Sequence, residues 1–157
     1  DAGTGFRWTV PEGWHLTCAF LPAVAPSRVE PLEAALEEVA GRTAPFAVSL
    51  AGAGAFPDAT KAKALWLGVT EGSGDLDRLA HRCRTAAAGC GVEVEGGRFR
   101  PHLTLARTRP CPARRWLTIL DAIPEQAWGV AAFVLFRSRL LPGGAGYENL
   151  RSFPLAG

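Results

Sequence analysis

The sequence contains no methionine, one tyrosine and only two lysines, Lys61 and Lys63, in 157 residues. No apolar run approaches the roughly 20 residues that a membrane-spanning helix needs, and the opening lacks the basic and apolar pattern of a secretory signal. We therefore expect no association with a membrane. The composition, 48% hydrophobic and 20% charged, excludes a disordered or fibrous chain and indicates one domain over residues 1–157.

The four cysteines, Cys18, Cys83, Cys90 and Cys111, form no Cys-x-x-Cys pair, and no histidine completes a zinc-ligand spacing with them. Scattered cysteines of this kind are typical of small buried side chains in a reducing compartment. The pattern therefore predicts a cytoplasmic protein that holds no metal and no other cofactor.

Arginine carries almost all of the positive charge. All of the 17 basic residues except Lys61 and Lys63 are arginines, yet the net charge is only +2. Planar guanidinium groups bind phosphate through two hydrogen bonds, so an arginine-rich surface suits phosphate ligands. Codon bias in a GC-rich genome would produce the same excess, and so small a net charge does not by itself indicate a polyanion partner. The arginine excess alone leaves both interpretations open.

Strand-like and helix-like segments are joined by short, hairpin-like links. The first helix signal is clear, because Ser27 and Glu30 match a capping box and Gly41 ends the apolar stripe that follows. Links of this kind favour an α+β fold with antiparallel sheets over a doubly wound parallel sheet. We predict helices over residues 27–41, 75–88 and 112–122, and strands over 5–10, 15–21, 46–50, 64–69, 92–95, 102–107, 128–141 and 147–154, with a loop between the third and fourth strands.

Two of the three histidines open the same tripeptide, His15-Leu16-Thr17 and His102-Leu103-Thr104. Side chains alternate along a strand, so each histidine and its threonine project on one face about 7 Å apart, with the leucine on the other. A polar pair is costly to bury without a partner. We therefore expect the two pairs, from duplicated halves of the chain, to face one another across a cleft.

Two imidazoles near neutrality and two hydroxyls form a set suited to in-line displacement at phosphorus. One histidine takes a proton from the nucleophile, the other gives one to the leaving oxygen, and the hydroxyls hold the anion. Two histidines acting as metal ligands are a weaker reading, because no third histidine or nearby carboxylate completes such a site. The remaining alternative is that both are ordinary strand histidines, as we expect His81 to be a packing or solvated residue of the second helix.

The doubled His-x-Thr motif resembles the signature of the 2H phosphoesterase superfamily. Within it, the chain is similar to the bacterial and archaeal RNA 2′,3′-cyclic phosphodiesterases, also called 2′-5′ RNA ligases. The resemblance implies an α+β fold of two pseudo-twofold-related lobes, each an antiparallel sheet with outer helices, around a central cleft. It also implies an N-terminal strand and helix that we expect this chain to lack. The resemblance rests on residues 14–20, 99–107, 146–150 and 153–155.

The resemblance implies metal-independent hydrolysis of a ribose 2′,3′-cyclic phosphate to a 2′-phosphate, and some family members also join or cleave 2′-5′ linkages. Its partner would be an RNA end or a cyclic nucleotide, acted on by a monomer. His15 and His102 would be the acid–base pair, with His102 activating water, and Thr17 and Thr104 would hold the phosphate. A non-catalytic module that binds nucleotides or RNA ends is the alternative, although a pure binder needs no acid–base pair.

Four further residues are candidates for binding the nucleotide. The resemblance matches Phe20 to an aromatic residue that lies against a base, Arg107 to an arginine near the nucleotide, and Tyr147 to a tyrosine of the C-terminal motif. From the residues alone, Arg100 should share the face of His102, because it lies two positions away. Arg107, five positions from His102, should face away unless a bulge turns it back. Phe20 is as well suited to a place in the core as to stacking on a base.

Overall fold

The computed structural model describes residues 5–142 and 144–157. The described chain divides into two compact units. Unit 1 contains the described residues up to Thr17 with Val48–Ser73 and Pro101–Trp128, and unit 2 contains the described parts of Cys18–Ala47, Gly74–Arg100 and Gly129–Gly157.

The larger sheet has five strands in the order β1-β4-β3-β2-β5. Strand β4 pairs antiparallel with both β1 and β3, and β3 pairs antiparallel with β2. The strands are β1 (Arg7–Trp8), β2 (Phe46–Phe56), β3 (Ala62–Glu71), β4 (His102–Cys111) and β5 (Gln126–Val130).

A short helix, α3 (Arg114–Asp121), packs against β1 in unit 1. The Trp116 ring of α3 meets the rings of Phe6 and Trp8 at centroid distances of 5.5 and 5.2 Å. Trp8 is the register partner of Ala106, which is fully buried. The helix therefore covers the face of the larger sheet on which Trp8 and Ala106 lie.

Unit 2 contains the other two helices and a second sheet. Helix α1 (Pro26–Gly41) and helix α2 (Ser73–Gly89) bury apolar stripes in one core. The antiparallel hairpin of β6 (Ala132–Leu141) and β7 (Gly144–Pro154) contributes Phe153, which stacks on Phe133 at 5.0 Å. Gly143, which lies between these two strands in the sequence, is outside the described residues.

The first helix begins differently from the prediction. Pro26 occupies its first turn and Ala25 is the extended N-cap residue, with no side-chain capping bond. Ser27 is therefore already inside the helix, and the capping box of Ser27 with Glu30 does not form. Proline fits the first helical position because its missing N–H would have no partner there.

The strand prediction is wrong in two places. Only Leu16 of residues 15–21 is bridged to another strand, because the chain then leaves β4 and packs Cys18, Ala19 and Leu21 against the core of unit 2. Residues 92–95 also form no strand, although Val92 is buried in the same core.

Most strands differ from the prediction in length, and β1 keeps only two of its six predicted residues. Strand β2 extends to Phe56, into residues expected to be a loop, and the apolar segment 128–141 is divided at residue 131 into β5 and β6. The predicted α+β class with antiparallel sheets is confirmed. In the part of the chain that the structure describes, no helix has the length and apolar character to cross a membrane.

Candidate active site

The two His-x-Thr tripeptides meet in unit 1, where Leu16 and Leu103 form an antiparallel bridge. Residues bridged in this way project on the same face of the sheet, and their neighbours on both chains project on the other. Leu103 is 8% exposed. The four polar side chains of the tripeptides therefore share the face opposite the two leucines.

The antiparallel sense of the bridge sets which polar residues are neighbours. Counting outward from the bridge, His15 lies across from Thr104, and Thr17 lies across from His102. The two histidines thus occupy opposite corners of a four-residue patch, and diagonal neighbours in such a pair are about 7–8 Å apart. Thr17 is exposed and the other three residues are half-buried. An anion placed at the centre of this patch would have an imidazole on either side and a hydroxyl at each remaining corner.

The ring of His15 is oriented by its own chain. Its Nδ1 lies 2.7 Å from the carbonyl oxygen of Gly13, the last residue of a 3₁₀ turn (Pro11–Gly13). A carbonyl only accepts hydrogen bonds, so Nδ1 carries a proton and donates it. Nε2 is then the ring atom that would exchange protons with a ligand.

Two aromatic side chains orient the ring of His102. The Phe56 ring meets it edge to face, with centroids 5.0 Å apart and planes at 88°, and the Trp66 ring lies 6.1 Å away. Phe56 and Trp66 also contact each other at 5.1 Å. We call the sheet face that carries Phe56, Trp66, His102 and Thr104 the histidine face.

Glycine makes room for the indole on this face. Gly54 is the register partner of Trp66, and a Cβ atom built on Gly54 would lie 2.1–2.6 Å from three indole atoms. The indole therefore lies directly over Gly54. Phe56, Trp66 and Gly54 were not among the predicted site residues, and their only sequence signal was an aromatic residue at the end of an Ala/Gly run.

Strand β4 contains a bulge just after the second tripeptide. Thr104 pairs with Trp66, whereas Ala106 pairs with the next residue of β3, Leu65. Leu105 is thus an extra residue, and it and Ala106 are both buried, at 8% and 0% exposure. Alternation of side chains between the two faces is interrupted at this point.

The bulge turns Arg107 onto the histidine face. Arg107 is the register partner of Ala64, and Ala64 is the partner of Phe56. Opposed residues of antiparallel strands share a face, so the exposed Arg107 side chain lies on the same side as Phe56. In a regular strand it would have faced away. The role of Arg107 in binding the nucleotide stays a prediction.

The other three candidate nucleotide-binding residues lie in unit 2. Phe20 is 50% exposed, and its carbonyl accepts a hydrogen bond of 2.9 Å from the backbone of Glu95. Arg100 is exposed in the segment before β4. Tyr147 lies on β7, 42% exposed, with its ring 6.0 Å from that of Phe136. Their assignment to nucleotide binding stays a prediction.

A cysteine directly follows the first tripeptide along the chain. Cys18 follows Thr17 directly, and burial raises its pKa to about 11 although the Arg84 guanidinium partly opposes this. Burial, together with the neighbouring Cys18, raises the pKa of Cys83 to about 12. Within the described residues, no group of three or more histidine, cysteine or acidic side chains is arranged to hold a metal ion.

Comparison with known proteins places these motifs in one family. The sequence pattern of the 2′-5′ RNA ligase superfamily matches residues 14–140. The RNA 2′,3′-cyclic phosphodiesterase of Geobacillus stearothermophilus is 33% identical over 152 residues, covering 96% of this chain but only 48% of that protein. The protein of the same name from Archaeoglobus fulgidus is 31% identical over 156 residues, covering 96% of this chain and 84% of its own length.

Solved structures agree with this assignment. The crystal structure of TT0787 of Thermus thermophilus has a TM-score of 0.80 and 30% identity, covering 99% of this chain and 85% of that one. Escherichia coli LigT complexed with 3′-AMP has a TM-score of 0.74 and 28% identity, covering 98% and 83%. The matched residues 14–140 span both His-x-Thr tripeptides, and the chain belongs to the 2′-5′ RNA ligase superfamily.

Proposed function

We propose that this protein hydrolyses a ribose 2′,3′-cyclic phosphate at an RNA end or on a nucleotide, giving a 2′-phosphate. The observation that carries the proposal is the antiparallel bridge of Leu16 with Leu103, since it groups two imidazoles and two hydroxyls in one patch. The relatives named RNA 2′,3′-cyclic phosphodiesterase support the same reaction.

The patch has the groups that in-line displacement needs. His102 takes a proton from water as the water oxygen attacks phosphorus, and His15 gives a proton to the 3′ oxygen as the P–O3′ bond breaks. Diagonal placement suits these two roles, because attacking and leaving oxygens lie on opposite sides of phosphorus. Thr17 and Thr104 donate hydrogen bonds to the non-bridging oxygens. The two histidines return to their starting protonation states by exchange with solvent.

The hydrogen bond to Gly13 supports the assignment of His15 as the acid. The Gly13 carbonyl accepts from Nδ1 at 2.7 Å, which fixes the ring and leaves Nε2 as the atom that faces the leaving oxygen. The edge-to-face contact with Phe56 holds His102 through its ring. Arg107 supplies positive charge beside this patch, and Phe20, Arg100 and Tyr147 remain proposed contacts of the nucleotide.

We further propose that the protein acts as a monomer in the cytoplasm and needs no metal. Support for the location comes from the cysteines, since Cys18, Cys83, Cys90 and Cys111 are all unpaired in the structure, as expected of a reducing compartment. Support for metal independence comes from the patch, which already contains an acid, a base and anion-binding hydroxyls.

The direct test is incubation with cytidine 2′,3′-cyclic phosphate, with and without excess EDTA. We expect hydrolysis at the same rate in both, with cytidine 2′-phosphate as the product. Loss of activity in EDTA that zinc or magnesium restores would contradict the acid–base mechanism. Binding of the nucleotide without turnover would favour the non-catalytic module instead.

A further inference from the structure

A second arginine lies beside Arg107 on the histidine face. Arg7 of β1 is the direct register partner of Arg107 of β4. The neighbouring Trp8 faces α3, with its ring 5.2 Å from that of Trp116, so alternation along β1 places Arg7 on the side away from the helix. Both arginines are exposed. Two arginine side chains thus occupy paired positions on the histidine face, three residues along β4 from Thr104.

In the described part of the chain, no acidic side chain is paired with Arg7 or Arg107. Among residues 5–142 and 144–157, no ion pair and no side-chain hydrogen bond involves the guanidinium group of Arg7 or Arg107. Like charges directly opposite each other on a sheet oppose its pairing. A bound anion would remove that repulsion, so the arrangement favours a ligand that carries negative charge between the two side chains.

The position of the pair relative to the patch indicates which anion. Arg107 pairs with Ala64, and Thr104 pairs with Trp66, two residues further along β3. Two strand residues span about 6.6 Å, which is comparable with one nucleotide step along an extended single strand. An anion between the arginines would therefore lie one backbone phosphate away from the phosphate in the patch.

We propose that Arg7 and Arg107 form a clamp for the 5′-phosphate of the nucleotide that ends in the cyclic phosphate. In an RNA this group is the phosphodiester that joins the last nucleotide to the chain. The clamp makes an RNA end, or a 5′-phosphorylated nucleotide, a better substrate than a cyclic mononucleotide without it. The inference rests on the proposed function, because it takes the patch as the site of the reacting phosphate.

Arginine chemistry supports a phosphate as the occupant. Two planar guanidinium forks together offer several N–H donors in one place, matching the non-bridging oxygens of a phosphate. Such a contact is independent of base identity, so the clamp would select for the presence of the phosphate and not for sequence.

The test compares cytidine 2′,3′-cyclic phosphate with the same nucleotide carrying a 5′-phosphate. For the unmodified protein we expect kcat/KM to be at least about tenfold higher on the 5′-phosphorylated substrate, the effect of one or two charge-assisted contacts. Arg7→Ala should lower this ratio by about tenfold. For Arg7→Ala acting on a short RNA that ends in a cyclic phosphate, the slope of log KM against log salt concentration should be smaller by about one than for the unmodified protein.

Two further variants separate the clamp from effects on folding. Arg7→Glu places an opposite charge across from Arg107, so it should preserve the melting temperature and still abolish the preference for the 5′-phosphate. Arg114→Ala removes the same charge from α3, on the other side of the sheet, and should leave the ratio at the level of the unmodified protein.

The outcomes distinguish the clamp from the proposed function. The clamp would be wrong if the ratio of kcat/KM on the two substrates were unchanged in both Arg7→Ala and Arg7→Glu. It would also be wrong if the unmodified protein showed no preference for the 5′-phosphate. In either case, hydrolysis of cytidine 2′,3′-cyclic phosphate would still support the proposed function. Failure of the unmodified protein to hydrolyse either substrate would overturn the proposed function itself.

Discussion

Leu16 and Leu103, the central residues of the two His-x-Thr tripeptides, are antiparallel partners in the same unit of the fold. This pairing places each histidine across from the threonine of the other tripeptide. The repeat therefore forms one patch with its histidines on a diagonal, and the proposed chemistry depends on that arrangement.

Removing a hydroxyl from the patch should weaken the hold on the phosphate without changing the acid or base. Thr17→Val and Thr104→Val keep the side-chain shape, so we expect each to lower kcat/KM by about tenfold or more, the effect of one lost hydrogen bond to a charged group. Steady-state hydrolysis of cytidine 2′,3′-cyclic phosphate measures this. Thr118→Val on α3, where the hydroxyl donates to the backbone carbonyl of Arg114, is the control and should keep full activity.

Phe56 should act as a positioning residue for His102. Phe56→Ala removes the edge-to-face contact at 5.0 Å and with it one of the two rings that orient the imidazole, so we expect kcat to fall by about tenfold and KM to change little. Phe56→Tyr retains the ring and should retain kcat.

A control separates this effect from simple destabilisation. Leu50 lies on the same strand and is 4% exposed, so Leu50→Ala should cost about 2–5 kcal/mol of stability and still keep kcat wherever the protein is folded. If Leu50→Ala lowers kcat as much as Phe56→Ala, the positioning role is wrong.

Gly54 should not tolerate a side chain. A Cβ atom there would overlap the Trp66 indole at 2.1–2.6 Å, so Gly54→Ala has to displace the ring, at a cost of about 1–3 kcal/mol. Gly129 of β5 has no atom within 4 Å of a built Cβ, and Gly129→Ala should change stability little. Urea unfolding of both variants measures the difference, and equal stability of the two would show that the indole moves without cost.

The buried thiols should make the fold less stable at alkaline pH. Burial raises the pKa of Cys18 to about 11 and that of Cys83 to about 12 from the ordinary value of 9.0. The unfolded chain therefore loses these protons first as the pH rises above about 9. Stability from the neutral thiols is complete below that pH and declines through the folded-state values.

Urea unfolding at pH 8 and pH 10 tests this dependence. We expect a lower free energy of unfolding at pH 10, and a smaller decline in the Cys18→Ala, Cys83→Ala double variant. An equal decline in both proteins would mean that these two thiols do not cause it.

The sequence was sufficient to predict the α+β class, the three helices and the identity of both tripeptides, because each has a local signal: helical periodicity or an exact repeat. The contacts that complete the patch depend on register. The bulge at Leu105 arises from how β4 pairs with β3, and only this pairing decides the face of Arg107. Even so, the roles of all these side chains remain predictions.

The segment 51–56 shows why Phe56 was not predicted as a residue of the site. Its small residues are typical of a loop, so the sequence predicted one, but in the folded chain Gly54 leaves the space that Trp66 fills. A strand of small residues is favourable here only because a large side chain on the next strand covers it. The residues after Leu16 also have the sequence of a strand. They form none, because Cys18 and Leu21 pack against the core of unit 2 instead.

The most direct test of the account is the rate of cyclic phosphate hydrolysis by His15→Ala, His102→Ala and the double variant, on two substrates. One is cytidine 2′,3′-cyclic phosphate, and the other has sulfur in place of the leaving 3′ oxygen, which departs without a proton. We predict that the rate of each single variant falls by about 10²- to 10⁴-fold on the oxygen substrate. The double variant should be little slower than the slower single variant. The sulfur substrate should restore the rate of His15→Ala but not that of His102→Ala. Restoration of His102→Ala alone would reverse the two roles, and full activity in either single variant would contradict the two-histidine site.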